Sequence, residues 1–158
     1  MSIQLGERMP ALTLKTMGAE GPEDVHTDTL LAGKKVVLFA VPGAFTPGCS
    51  NTHMPGFVVN ADAILAAGVD QIICTSVNDA FVMKAWQQSQ NAEKIFMLAD
   101  GSADLAQALG LELDATSRGL GVRSRRYAMI IEDGVVKYLG VDDKGVDLSS
   151  AETVLKQL

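Results

Sequence analysis

The stretch KKVVLFAVPGAFTPGCSNTHMPGF, Lys34 to Phe57, runs from a continuous apolar segment through two Pro-Gly turns into residues with helical periodicity. Its first part, KKVVLFAV (Lys34 to Val41), is rich in β-branched residues and lacks polar alternation, the pattern of a strand buried on both faces. Pro42 and Gly43 end it. Thr46 then suits an N-cap, and Pro47 suits the first helical position, where its missing N–H costs nothing. Cys49 is therefore expected in the first turn of a helix covering Cys49 to Ala67. A kink is expected near Met54, because Pro55 has no N–H to offer the carbonyl of Asn51.

The pattern repeats outward from this unit. VDQIICTSV (Val69 to Val77) and KIFMLAD (Lys94 to Asp100) read as two more buried strands, with a helix over Asp79 to Gln90 between them, opened by an Asp cap. The centre of the chain is then β-α-β-α-β. YAMIIEDGVVKYL (Tyr127 to Leu139) breaks the rhythm, since Asp133-Gly134 between two apolar runs signals a hairpin. SSAETVLKQL closes the chain as a capped helix. The expectation is an α/β fold of thioredoxin-like arrangement: a mixed central sheet, parallel in the middle and ending in an antiparallel C-terminal hairpin, with helices on both faces. No repeat, low-complexity tract or linker interrupts it, and 158 residues suit one domain over 1–158.

Composition narrows the function. With 47% hydrophobic and 20% charged residues the chain reads as a soluble globular protein. Thirteen basic against nineteen acidic residues, a net charge of -6, disfavour nucleic acid or an anionic membrane as partner. No run approaches the ~18 apolar residues of a membrane span. MSIQLGERMPALTL carries neither a basic n-region nor an apolar h-region, so a cytoplasmic location is the expectation. Two cysteines make no disulfide scaffold; they are core filler or chemistry.

Cys49 has the address for chemistry. At a helix start, unsatisfied N–H groups and the positive end of the macrodipole stabilise an anion, and the anion a cysteine offers is its thiolate. A thiol of ordinary pKa is only about 3% ionised at neutral pH, so such stabilisation can raise the nucleophile's population more than tenfold. A small buried residue at a helix start is the competing reading.

Pro42, Thr46 and Cys49 spell P-x-x-x-T-x-x-C at the end of the strand. Together with the longer string VPGAFTPGCSNTHMPGF, then SVNDAFVMKAW, LADG and RSRRYAM, this resembles the peroxiredoxins, specifically the type 5 branch that is called type II in plants. The resemblance extends from about Gly6 to Leu158. It implies a thioredoxin-like fold, a homodimer, and a thiol-specific peroxidase acting on hydrogen peroxide and alkyl hydroperoxides without resident cofactor or metal. Cys49 would be the peroxidatic cysteine, converted to sulfenic acid as water or an alcohol leaves. Thr46 would contribute its hydroxyl and Pro42 would shield the sulfur. Aligning RRYAM with the family motif puts the active-site arginine at Arg126, leaving Arg125 as a solvated strand end and Arg123 unassigned.

Other features carry less. His53, four residues past Cys49, reads as a helix-surface or capping histidine rather than a base. A zinc site needs four ligands or three and a water, and the chain holds only Cys49, Cys74, His26 and His53 as soft or borderline candidates, so no metal is expected. A cysteine-phosphatase loop wants arginine six after the nucleophile, where this chain has Pro55. Cys74, in mid-strand, reads as inert packing, with a resolving role as the alternative. Two-cysteine type 5 enzymes carry their resolving cysteine in the region matching GVDLSSAETV, where this chain has Ser149 and Ser150. The resemblance therefore implies an external reductant, glutathione with glutaredoxin or thioredoxin. A thiol-disulfide oxidoreductase and a non-enzymatic peroxide sensor stand as the other readings.

Overall fold

In the computed structural model, which describes residues 2–158, strand β3 (Lys35–Ala40) lies inside a seven-stranded sheet, flanked on both edges, and its two faces look into two apolar clusters. Val37 and Phe39 point into one apolar cluster, shared with Phe57 and Ile64 of α2 (Met54–Ala66), Met83 and Trp86 of α3 (Ala80–Ser89), and Val154 of α5 (Ala151–Gln157). Val36, Leu38 and Ala40 point into the other, with Leu31 of α1 (Thr27–Leu31) and Leu105 and Leu109 of α4 (Asp104–Leu109). A strand with helices on both faces has no polar side, which is why its sequence does not alternate.

With β1 (Thr13–Gly18), β2 (Gly21–His26), β4 (Gln71–Ser76), β5 (Ile95–Ala99), β8 (Arg126–Glu132) and β9 (Val135–Asp142), the sheet order is β2-β1-β5-β4-β3-β8-β9. β3, β4 and β5 are parallel, and β8 and β9 close the sheet as an antiparallel hairpin. Its turn has Asp133 and Gly134 both at positive φ, 48° and 78°, the twist that matches a two-residue hairpin. β6 (Glu112–Ala115) and β7 (Gly121–Ser124) form a separate two-stranded antiparallel sheet. The expected strands, hairpin and terminal helix are present. The N-terminal hairpin and the β6–β7 pair escaped the sequence reading because their strands are short and largely polar or exposed. No helix among the described residues is long and apolar enough to cross a membrane.

The turn from β9 into α5 folds back over the hairpin. Tyr138 Oη donates to the Leu148 carbonyl at 2.6 Å, and the carbonyl lies so near Gly140 that an added Cβ would sit 2.3 Å from its oxygen. A side chain there must displace backbone, so Gly140→Ala is expected to destabilise the protein by roughly 1–3 kcal/mol, the cost of overpacking. Urea denaturation measures it, and an unchanged midpoint would contradict the packing described.

Candidate active site

The site forms where β3 leaves the sheet. Val41 N–H donates to the Thr75 carbonyl at 3.2 Å, and half-buried Pro42 then turns the chain out of the ladder. Asn78, in the loop after β4, holds the turn: its Oδ1 accepts from Ala44 N–H at 3.0 Å and from Ser76 Oγ at 2.6 Å. Phe45 takes a left-handed conformation, φ 65°, which costs an L-residue about 1–2 kcal/mol and persists only where the surroundings enforce it. The Thr46 hydroxyl donates to the Gly43 carbonyl at 2.6 Å, so it does not serve as the expected side-chain cap. Its single proton being committed, Oγ1 can meet a third group only as an acceptor.

The helix opens with Ser50 N–H donating to the Thr46 carbonyl at 2.9 Å. Cys49–His53 then make a π turn, in which Met54 N–H reaches back to the Cys49 carbonyl, before α2 continues with Pro55 near its start. The irregularity expected near Met54 thus takes the form of one widened turn directly under the cysteine, where Pro55 cannot donate. Trp86 Nε1 donates to Ser50 Oγ at 2.9 Å and ties this turn to α3.

Cys49, 1% exposed, is met from across the sheet by Arg126, the first residue of β8. Arg126 Nη2 donates to Cys49 Sγ at 3.3 Å. A Cβ on Gly48 would lie 3.2 Å from the same Nη2, so glycine leaves the room the guanidinium occupies. The other arm, Nη1, donates to His53 Nδ1 at 2.8 Å, and His53 Nε2 bonds the Ser149 carbonyl at 2.9 Å.

His53 therefore departs from the surface or capping role expected of it. It is 1% exposed and packs on Phe39 and Phe57, with ring centroids 5.1 and 5.6 Å away. Four residues from Cys49 on one helix, it shares the inward face with the sulfur, and that spacing is the signal that could have found it. Burial, and then the charge of Arg126, pull its pKa down to about 4.

The other arginines separate clearly. Arg125 pairs with Asp143 at the surface. Arg123 donates from Nε to the Leu120 carbonyl at 2.9 Å and from Nη1 to the Val77 carbonyl at 3.1 Å, bracing the loop beside Gly43. Cys74 lies in mid-β4, 0% exposed, in register with Phe39 and Met97, and burial pushes its thiol pKa well up. The structure thus brings Cys49, Arg126 and His53 into one bonded chain, sets Thr46 three residues before the sulfur and Pro42 at the strand's end, and keeps Cys74 in the core. An ionisable sulfur beside a fixed cation, with an acceptor oxygen in the preceding turn, is suited to attack on an electrophile that carries an O–H and leaves with negative charge.

Comparison with known proteins agrees with this chemistry. The Redoxin family matches residues 4–155. Peroxiredoxin-2E-2, chloroplastic, of Oryza sativa subsp. japonica is 49% identical, covering 99% of this chain and 73% of the relative. Peroxiredoxin-2B of Arabidopsis thaliana is 52% identical over 85% of this chain and 83% of its own. Among solved structures, reduced Prx3 of Vibrio vulnificus in complex with hydrogen peroxide superposes with a TM-score of 0.95 at 54% identity, covering 98% of each chain.

The buried histidine generates a prediction about stability. His53 titrates near 4 when folded, against 6.5 for an ordinary histidine, so between these values the unfolded chain binds the extra proton. Its contribution to stability is full above pH 6.5 and is lost as the pH falls toward 4. Urea midpoints measured from pH 7 down to 4.5 should fall less steeply in His53→Gln than in the native chain, the carboxylates being common to both. Parallel slopes would show that His53 does not titrate in this range.

Proposed function

This chain belongs to the Redoxin family, as a peroxiredoxin, and we propose that its thiol-dependent peroxidase reaction runs at Cys49, with Thr46, Arg126 and Pro42 building the site and an external thiol restoring it. The observation that carries the assignment is the Arg126 Nη2 contact on Cys49 Sγ at 3.3 Å, made at a helix start. The guanidinium gives the sulfur a charge-assisted hydrogen bond, and it stands where the leaving oxygen gains charge.

The steps follow from the groups present. The peroxide O–H donates to Thr46 Oγ1, whose own proton is held by the Gly43 carbonyl. The Cys49 thiolate attacks the nearer oxygen in line with the O–O bond; an S–O bond forms, the O–O bond breaks, and sulfur is oxidised to sulfenic acid. The departing hydroxide or alkoxide is stabilised by Arg126 and takes a proton from solvent, leaving as water or alcohol. Pro42 limits access of bulk water from the strand side. The substrate class proposed is hydrogen peroxide and alkyl hydroperoxides.

Restoration needs a second thiol. Cys74 is buried in mid-strand, and the 142–150 segment offers Ser149 and Ser150 in its place. An external thiol then condenses with the sulfenic acid, expelling water and leaving a mixed disulfide, which a further thiolate resolves. Glutathione with glutaredoxin is the proposed pair, with thioredoxin as the alternative. Exposed Phe45, Phe81, Leu120 and Val122, on segments around the site, supply apolar surface for the homodimer that the reading includes.

Peroxide consumption in the presence of glutathione and glutaredoxin, or of thioredoxin, tests the assignment. Cys49→Ser should abolish turnover, while Cys74→Ser keeps most of it. After one equivalent of hydrogen peroxide without added thiol, intact mass should show one oxygen gained, trapped by a dimedone-type reagent on Cys49. Equal loss in both variants, or loss of two hydrogens with Cys49 and Cys74 in one linked peptide, would overturn the one-cysteine mechanism.

A further inference from the structure

Arg126 and Asp142 face each other across the β8–β9 ladder, yet no ion pair joins them among the described residues. The Asp142 carboxylate is committed elsewhere. It accepts from the N–H groups of Asp147 at 3.0 Å, Leu148 at 3.1 Å and Ser149 at 2.9 Å, and from Ser149 Oγ at 2.6 Å. Burial pushes its carboxyl up, but these bonds outweigh that and hold it below the usual carboxylate range. The 143–149 loop is thereby wrapped around one side chain, and the Ser149 carbonyl faces His53.

That carbonyl decides which proton His53 carries. A carbonyl oxygen only accepts, so Nε2 must bear the hydrogen; a guanidinium only donates, so Nδ1 must be bare. The ring is consequently the neutral Nε2–H tautomer, and burial beside a cation keeps it neutral. With Nη1 fixed on Nδ1, the planar fork has its second arm directed at the sulfur. The choice of a neutral acceptor has a consequence. A carboxylate at position 53 would pair with the guanidinium and cancel the charge that the sulfur needs, whereas imidazole orients the cation without neutralising it.

We propose that His53 is the positioning residue that aims Arg126 at Cys49, and that Asp142 sets it by folding the 143–149 loop so that the Ser149 carbonyl selects the His53 tautomer. Neither residue touches a reacting atom. The segment after β9 therefore governs the reactivity of a sulfur to which it makes no direct bond.

The inference rests on the peroxidase reading only where rate is the readout; two other readouts are independent of turnover. In the wild-type protein, a long-range proton–nitrogen spectrum of His53 should show a protonated Nε2 and a bare Nδ1 at pH 7. In His53→Leu and in Asp142→Ala, thiolate absorbance of Cys49 should rise at higher pH than in the wild type, and the second-order rate with hydrogen peroxide should fall about tenfold, the share of one hydrogen bond to a charged group. His53→Gln, whose amide can donate to Ser149 and accept from Arg126, should restore both to within about threefold. An Nδ1–H tautomer would overturn the proposal, as would a wild-type thiolate titration in His53→Leu, or a Gln variant no better than the Leu one. Should a variant fail to fold, the spectrum of the native protein still decides. A native chain that ionises as described but turns over no peroxide would sink the peroxidase reading and leave this one standing.

Discussion

The contact between Arg126 and Cys49 organises this protein, because it joins a cation and a sulfur that lie 77 positions apart in the chain. Sheet order makes it possible. β8 lies antiparallel beside β3 with Tyr127 opposite Ala40, so Arg126 comes level with the point where the chain leaves β3 for the Cys49 turn. A parallel neighbour in that place would start at the other end of the sheet. The antiparallel hairpin at the edge of an otherwise parallel centre is what delivers the guanidinium.

Strain and irregularity collect within a dozen residues of the sulfur. Phe45 is held at positive φ, the turn after it is widened, and Pro55 removes a donor just inside α2. Asn78, Trp86 and Arg123 brace that segment from three other elements. Such features cost stability and survive where the surroundings over-determine them, as these bonds from the loop after β4, from α3 and from β7 do. The two cysteines show the contrast. Both border the same apolar cluster, but only Cys49 has a charged donor, and Cys74 has neighbours that penalise any charge.

Much of this was legible from residues alone. The unbroken apolar run Lys34 to Val41 reported a strand covered on both sides, and Asp133-Gly134 reported the hairpin. The helix-start address pointed to Cys49 from the residues themselves, whereas P-x-x-x-T-x-x-C and RRYAM pointed to Thr46, Pro42 and Arg126 only through their resemblance to the peroxiredoxins. What escaped depends on tertiary approach. His53 looks like any surface histidine until α2 is docked with that face inward, and Thr46 looks like a cap until its hydroxyl is seen to turn back to Gly43. Asp142 is one of many acidic residues in a polar stretch; its role exists only because the loop after it closes on its carboxylate. Periodicity reports which face is buried, but not which polar groups meet across the boundary between elements.

The central claim is that a forked cation, and not positive charge alone, activates the sulfur. Its most direct test is the second-order rate with hydrogen peroxide, followed across pH, in the native chain, Arg126→Lys and Arg126→Gln. Loss of one strong electrostatic donor should lower the rate by about 10²-fold in Arg126→Gln. Arg126→Lys keeps the charge but cannot hold His53 and Cys49 with two arms in one plane, so it should recover only a minor part of that loss. A lysine variant as fast as the native enzyme, ionising at the same pH, would contradict the account.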